Sequence, residues 1–332
     1  MADGDLYFPP VAGDEWEGVD AASIGWDAAR LAELLDLLAA RDSAGVVILH
    51  RGRIVAERYW QGADMHDTGD LGSAQKPVVS FLLAVAQRDG GLSLDDPVAE
   101  HLGRAWTRTE PALEDAITLR HLVTMTSGLT DAFAFEATPG TAWYYNNNAY
   151  HQSKTVLERA TGTSIEAFTQ ERLFGPIGAR DSSWVLRPTM LDPLGKAMTG
   201  LHMSCRDMAR FGLLMLAGGS WDRRSLGADA GYLTEATRPS QDLNPSYGYL
   251  WWVNGQDRLM LPGRRPARRG PFAAPAPADL FAATGAGDQK LYVCPSAGVV
   301  VARRGAPGGP PSVALSSFDN DIWARLAAVI GG

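Results

Sequence analysis

The sequence predicts an α+β fold: one antiparallel sheet flanked by terminal helices, with a mainly helical region inserted between its strands. Three observations predict it. A β-branched hairpin pattern lies at about 45–60, and strand-like runs return only from about 246 onward. The stretch between them, about 73–220, reads mainly as helix. A helical stripe stands near each end, at Trp26–Ala40 and Ile322–Ile330. The reading is a single domain over 1–332, with about 25–72 and 221–332 as the α/β part and about 73–220 as the helical part. One catalytic cleft is expected between the two parts.

Each element has a local reason. Residues 5–24 are rich in Pro, Gly and acids and read as an extended lead-in. Leu31, Leu34, Leu35 and Leu38 repeat at helical spacing. Val46–Leu49 and Ile54–Glu57 flank an Arg51-Gly52 turn, the pattern of a hairpin. Val78-Val79-Ser80-Phe81-Leu82-Leu83 has the look of a buried helix. Loops are expected at 102–116 and 130–146. Ser246–Val253 returns to strand composition, and 262–279 is a Pro/Arg/Ala-rich surface loop near the mouth of the site. Phe281–Gln289, Lys290–Pro295 and Val299–Ala302 complete the strands; there is no internal repeat.

Composition narrows the function. The chain has 332 residues, 45% hydrophobic and 20% charged, as in an ordinary globular protein. A net charge of −8 argues against a nucleic-acid partner. No run approaches the ~18–20 apolar residues of a membrane span. Met1-Ala2-Asp3-Gly4-Asp5 lacks the basic start and apolar core of a signal peptide, so a cytoplasmic location is expected. Cys205 and Cys294 are the two cysteines and read as reduced, structural thiols. There is no His-Glu-x-x-His zinc motif, no Walker-type phosphate loop and no Gly-x-Ser-x-Gly elbow. No cofactor or metal is implied, and oligomeric state is left open.

Ser73-Ala74-Gln75-Lys76 carries the chemistry. Residues three apart share a helix face, which sets the Lys76 amine beside the Ser73 hydroxyl. A serine hydroxyl is a weak nucleophile, and a desolvated amine can take its proton near neutral pH. With 19 Ser and four Lys in the chain, chance gives about 0.2 such matches. The other 26 basic residues are Arg, which cannot serve as a base. Taken alone, the tetrapeptide reads equally well as a helix N-cap followed by an exposed Lys.

Context tips the balance. Pro139-Gly140-Thr141-Ala142-Trp143-Tyr144-Tyr145-Asn146-Asn147 is a turn leading through an aromatic loop into a helix. Tyr145-Asn146-Asn147 fits the Tyr-x-Asn motif that accompanies Ser-x-x-Lys, and the distance from Pro139-Gly140 favours it over the register that starts at Tyr144. On these residues the chain resembles the serine β-lactamase/penicillin-binding superfamily. It is nearest the class C-like branch that holds family VIII carboxylesterases, D,D-peptidases and 6-aminohexanoate-oligomer hydrolases. Gly91–Val98, Ile117–Leu129 and Met203–Gly212 resemble further phrases of that family in the same order.

The third motif departs from the family pattern. Where Lys-Thr-Gly or His-x-Gly is usual, this chain has Ala283-Thr284-Gly285. Family members use that cation to hold a substrate carboxylate, so Ala283 implies a neutral ester or amide instead. Gly285 allows close backbone approach, and the Ala286 N–H can pair with the Ser73 N–H as an oxyanion hole.

The resemblance implies a β-lactamase/transpeptidase-like fold and a two-step acyl transfer on a small ester or amide, without cofactor, metal, membrane or nucleic acid. Ser73 would attack, Lys76 and Tyr145 would share the proton work, and Asn147 would hydrogen-bond Lys76 and substrate. Which of Lys76 and Tyr145 is the base in each step stays open, Lys76 being expected to lower the Tyr145 pKa. Thr284, Trp143 and Tyr144 are further substrate-side candidates. Tyr249, Trp251 and Trp252 read first as core, and His121 as structural. The activity expected is carboxylesterase-like. An amidase, a β-lactamase or D,D-peptidase, and a non-catalytic binding protein on the same fold are the alternatives.

Overall fold

The computed structural model describes residues 6–263, 266–310, 312 and 314–331. Met1–Asp5, on which the leader reading and the first lead-in residue fall, lie outside these, as do 264–265 of the expected loop. The main sheet has six strands, in the order Arg53–Tyr59, Ser43–His50, Val299–Gly305, Gln289–Cys294, Phe281–Gly285 and Trp252–Val253. Every neighbouring pair is antiparallel. The N-terminal hairpin therefore joins the C-terminal strands directly, with Ile48 opposite Val301 and Leu49 opposite Val300.

Both faces of this sheet are covered, and the pleat shows how. Leu291 and Tyr292 are consecutive, so they point to opposite faces. Leu291 meets the helix Cys205–Leu216, where a Cβ on Gly212 would stand 2.8 Å from it. Tyr292 packs edge-on against Trp323 of the C-terminal helix Ser317–Ile330, ring centres 5.7 Å apart. That helix lies against the N-terminal helix Ala28–Ala40, whose first turn is capped by the Asp27 carboxylate. The C-terminal helix starts five residues before the predicted Ile322. Ser316 and Asp319 form a capping box that fixes its first turn.

The inserted region departs from the mainly helical expectation in one place. Ser183–Leu191 and Ala197–Met203 form a hairpin around an Asp192–Gly195 turn, and Gly69–Asp70 adds a third strand. The face of Ser183–Leu191 is largely exposed, so its sequence lacks the apolar alternation that marks a half-buried strand. Within the predicted strand Ser246–Val253 only Trp252–Val253 pairs with the sheet; Leu250, at φ +66°, turns the chain just before it. The 262–279 loop carries a two-residue strand, Arg268–Arg269, paired with Arg258–Leu259. Cys205 and Cys294 are free and buried.

Candidate active site

Ser73 sits in a 3₁₀ turn, Gly72–Gln75, that runs straight into the helix Lys76–Arg88. Every residue of that helix from Lys76 to Ala86 is buried, which anchors the turn from below. Lys76 Nζ lies 3.0 Å from Ser73 Oγ and 2.8 Å from Asn147 Oδ1. Asn147 opens the helix Asn147–Thr161, whose N-cap is Asn146. The Asn146 amide donates to the Leu129 and Thr130 carbonyls, so it turns away from Ser73. Tyr144 also turns away, its hydroxyl donating to Asp131. Tyr145 faces inward, with its ring 4.7 Å from Lys76 Nζ and its hydroxyl toward Ser73. The structure thus gathers Ser73, Lys76, Tyr145 and Asn147 at one point.

The aromatic residues divide between wall and core. Trp252 stacks on Tyr145 at 5.9 Å, and Trp143 and Tyr247 meet both rings edge-on or tilted. Trp252 is core and site wall at once. Trp251 packs on Phe211 and Phe281, and Tyr249 accepts from Arg120, both away from Ser73. His121 closes a capping box with Thr118, a structural role.

The strand Phe281–Gly285 presses against the Ser73 turn. A Cβ on Gly285 would collide with the Leu71 carbonyl and crowd Ala74 N at 2.9 Å and Ser73 N at 3.1 Å. Only glycine permits this approach. Gly72, at φ +54°, is equally close to the Ala286 N–H: a Cβ there would lie 3.1 Å from it. The Ser73 and Ala286 amides therefore border the same small space. Thr284 is buried, and its hydroxyl has no hydrogen-bond partner among the described residues. A cavity of about 790 Å³ opens beside Ala286 and Gly287. Leu259, Leu261, Phe272, Leu315, Arg268 and Arg269 are among its walls.

Ala283 is buried. Lys290 pairs with Thr284 across the ladder and is fully buried on that residue's face of the sheet, the face opposite to that of Ala283. It pairs with Asp288 at 3.1 Å and Asp319 at 2.9 Å, which ties the strand to the C-terminal helix.

Burial sets the electrostatics. The Lys76 amine falls to about 7, mainly because the buried site disfavours charge and secondly because of the Arg187 guanidinium. Among the described residues no carboxylate pairs with it. Burial pushes the Tyr145 hydroxyl well above its ordinary value, although the neighbouring Ser73 and Tyr247 hydroxyls pull against the rise. The expected lowering of Tyr145 by Lys76 is thus reversed. Desolvation dominates.

Asp70, Lys154 and Arg187 are among the neighbours not singled out from sequence. Lys154 carried a signal, since it stands seven residues after Asn147, two helical turns along the same face. Arg187 carried none, because it reaches the site from a hairpin that the pattern did not reveal.

A model of the beta-lactamase family matches residues 31–303, and the chain belongs to that family of hydrolases. An uncharacterized protein of Alkalihalophilus pseudofirmus is 23% identical over 314 residues, 85% of this chain and 88% of that one. Esterase EstB of Burkholderia gladioli is 27% identical over 217 residues, covering 50% of this chain and 55% of that enzyme. A penicillin-binding protein homolog of Caulobacter crescentus has the same fold, with a TM-score of 0.65 at 17% identity. That match covers 96% of this chain and 99% of the other.

Proposed function

We propose that the protein is a carboxylesterase-like serine hydrolase that cleaves small neutral esters through an acyl-enzyme on Ser73. The observation that carries the reading is the contact between Ser73 Oγ and a buried Lys76 amine poised near neutrality, with no carboxylate paired to it among the described residues. Lys76 takes the Ser73 proton as Oγ attacks the ester carbonyl. The Ser73 and Ala286 amides receive the oxyanion. Tyr145, kept as a neutral phenol, gives its proton to the departing alkoxide and is refilled from the Lys76 ammonium. Water then enters and loses a proton to the free amine as its oxygen attacks the acyl carbonyl; the Lys76 ammonium returns that proton to Ser73 Oγ as the acid leaves. Asn147 fixes the Lys76 amine throughout.

The missing cation at Ala283 favours an ester without a carboxylate beside its scissile bond. The cavity beside Ala286, walled in part by Leu259, Leu261, Phe272 and Leu315, offers apolar surface to one part of such an ester. The kinship with an esterase supports the same choice.

The test is a burst assay with a short-chain p-nitrophenyl ester, run beside a chromogenic cephalosporin and a small linear amide. Ester turnover with an acyl adduct on Ser73 by mass spectrometry, and slow cephalosporin hydrolysis, is the expected result. Faster cephalosporin or amide turnover would reassign the substrate class. No adduct with any of the three would leave a binding protein on this fold.

A further inference from the structure

We propose that Arg187 is a positioning residue for the nucleophile turn and the electrostatic partner of Lys76. This rests on the acyl-enzyme reading above.

Gly72 precedes Ser73, and both of its backbone groups are held. Its N–H donates to Asp70 Oδ1 at 2.8 Å. The same carboxylate oxygen accepts from the Arg187 guanidinium. Its carbonyl accepts from the Gln75 amide at 2.8 Å. Gln75 in turn accepts from Lys154 Nζ at 2.8 Å, which also donates to the Thr199 carbonyl. A trans peptide fixes its N–H opposite its C=O, so holding the Gly72 carbonyl aims the Ser73 N–H. Asp70 fixes the peptide before it. The turn is thus bracketed by an arginine on one side and a lysine on the other.

The arginine is itself held. It lies on Ser183–Leu191, opposite Met198 of the partner strand. A Cβ on Gly200 would collide with its guanidinium, so that group rests directly on the backbone of the partner strand. Its side chain is 15% exposed, against 44% for Asp70. Its Nε is buried with no hydrogen-bond partner among the described residues. A carboxylate half in water is screened and leaves much of the arginine charge uncompensated on the inner side.

The groups facing Lys76 come from several elements. The helix Asn147–Thr161 brings Tyr150, His151 and Lys154, with Glu158 further along. The aromatic loop brings Tyr145, with Tyr247 behind it. The small sheet brings Arg187 and Asp70, with His202 opposite Asp70. Burial first, and then the charges of Lys76 and Arg187, push Lys154 well down. Arg187 is then the permanent cation. Its charge helps to push down Lys76, His151 and Lys154 alike.

The experiment follows kcat/KM for p-nitrophenyl acetate against pH in the wild-type protein, Arg187→Met and Arg187→Lys. Alongside it, NMR of protein labelled with ¹³Cε-lysine reads the Lys76 midpoint without turnover; four lysines make the assignment tractable. Arg187→Met is expected to move the acid limb and the NMR midpoint about one unit alkaline, a roughly tenfold loss at acid pH that recovers at high pH. Arg187→Lys keeps the charge and should hold both near the wild-type position. Should Arg187→Met not fold, Asp70→Asn keeps the acceptor for Gly72, removes the counter-charge and should move the midpoint to acid. An unmoved midpoint in whichever variant folds, or a loss uniform over pH that Arg187→Lys does not rescue, overturns the inference. Failure of the wild type to form a Ser73 adduct would instead defeat the acyl-enzyme reading, while the NMR midpoint still decides the part played by Arg187.

Discussion

Lys76 Nζ lies 3.0 Å from Ser73 Oγ, and both sit at the start of one buried helix. The pair forms one unit with Tyr145. Ser73→Ala should abolish ester turnover and the mass-spectrometric adduct while leaving the circular dichroism unchanged. Lys76→Met and Tyr145→Phe should each lower kcat about 10³-fold, and the double variant little further. Multiplicative losses in the double variant would show that the two side chains act in separate steps.

The pH profile follows from the same amine. Only free Lys76 can accept the serine proton, and its pKa is about 7. Activity should therefore rise through neutrality and fall about tenfold per unit below it. Stability has the matching sign. A lysine with a depressed folded pKa binds fewer protons folded than unfolded, so folding gains as pH rises from about 7 toward the ordinary lysine value. Lys76→Met should remove that dependence and raise the melting temperature at pH 6 while destroying activity, as calorimetry can show.

Gly285→Ala places a methyl group against the Leu71 carbonyl and beside the Ser73 amide. It should push the strand away from the turn, widen the space between the two amide donors, and reduce kcat by about 10²-fold. An unchanged kcat would remove the Ala286 amide from the oxyanion site.

Lys290→Met leaves Asp288 and Asp319 buried without their cation. Breaking such a pair costs about 3–5 kcal/mol, which urea unfolding would register as a lower midpoint. In any fraction that folds, KM should change little, since Lys290 pairs with Asp288 and Asp319 rather than with the Ser73 site.

Much of this molecule could be read before its structure. Val46–Glu57 and Val299–Ala302 are strands because they alternate or are wholly apolar, a local property. Ser73 and Lys76 are legible together because they share one turn. Tyr145 and Asn147 are legible because the Pro139-Gly140 turn sets their register. What escaped was non-local. The hairpin Ser183–Met203 is too exposed along its first strand to show a period, so Arg187 had no visible address. The direction of the Tyr145 shift also escaped, because it depends on how completely Trp143, Tyr247 and Trp252 exclude water.

The order of strands in the main sheet has a consequence for synthesis. Ser43–His50 pairs with Val299–Gly305, and the strand ending at Gly285 is placed through the ladder that follows from this pairing. A ribosome emits the Ser73 turn long before the strand that must lie against it. During that interval the inserted helices can condense locally, but the sheet has one flank only, and its hairpin is an open edge. Closure must wait for contacts of very high sequence separation, the slowest kind to form. Hydrolytic competence should consequently emerge as a late event, after release of the whole chain. A chaperone that shields the waiting hairpin would then raise the yield of active protein more than its final stability.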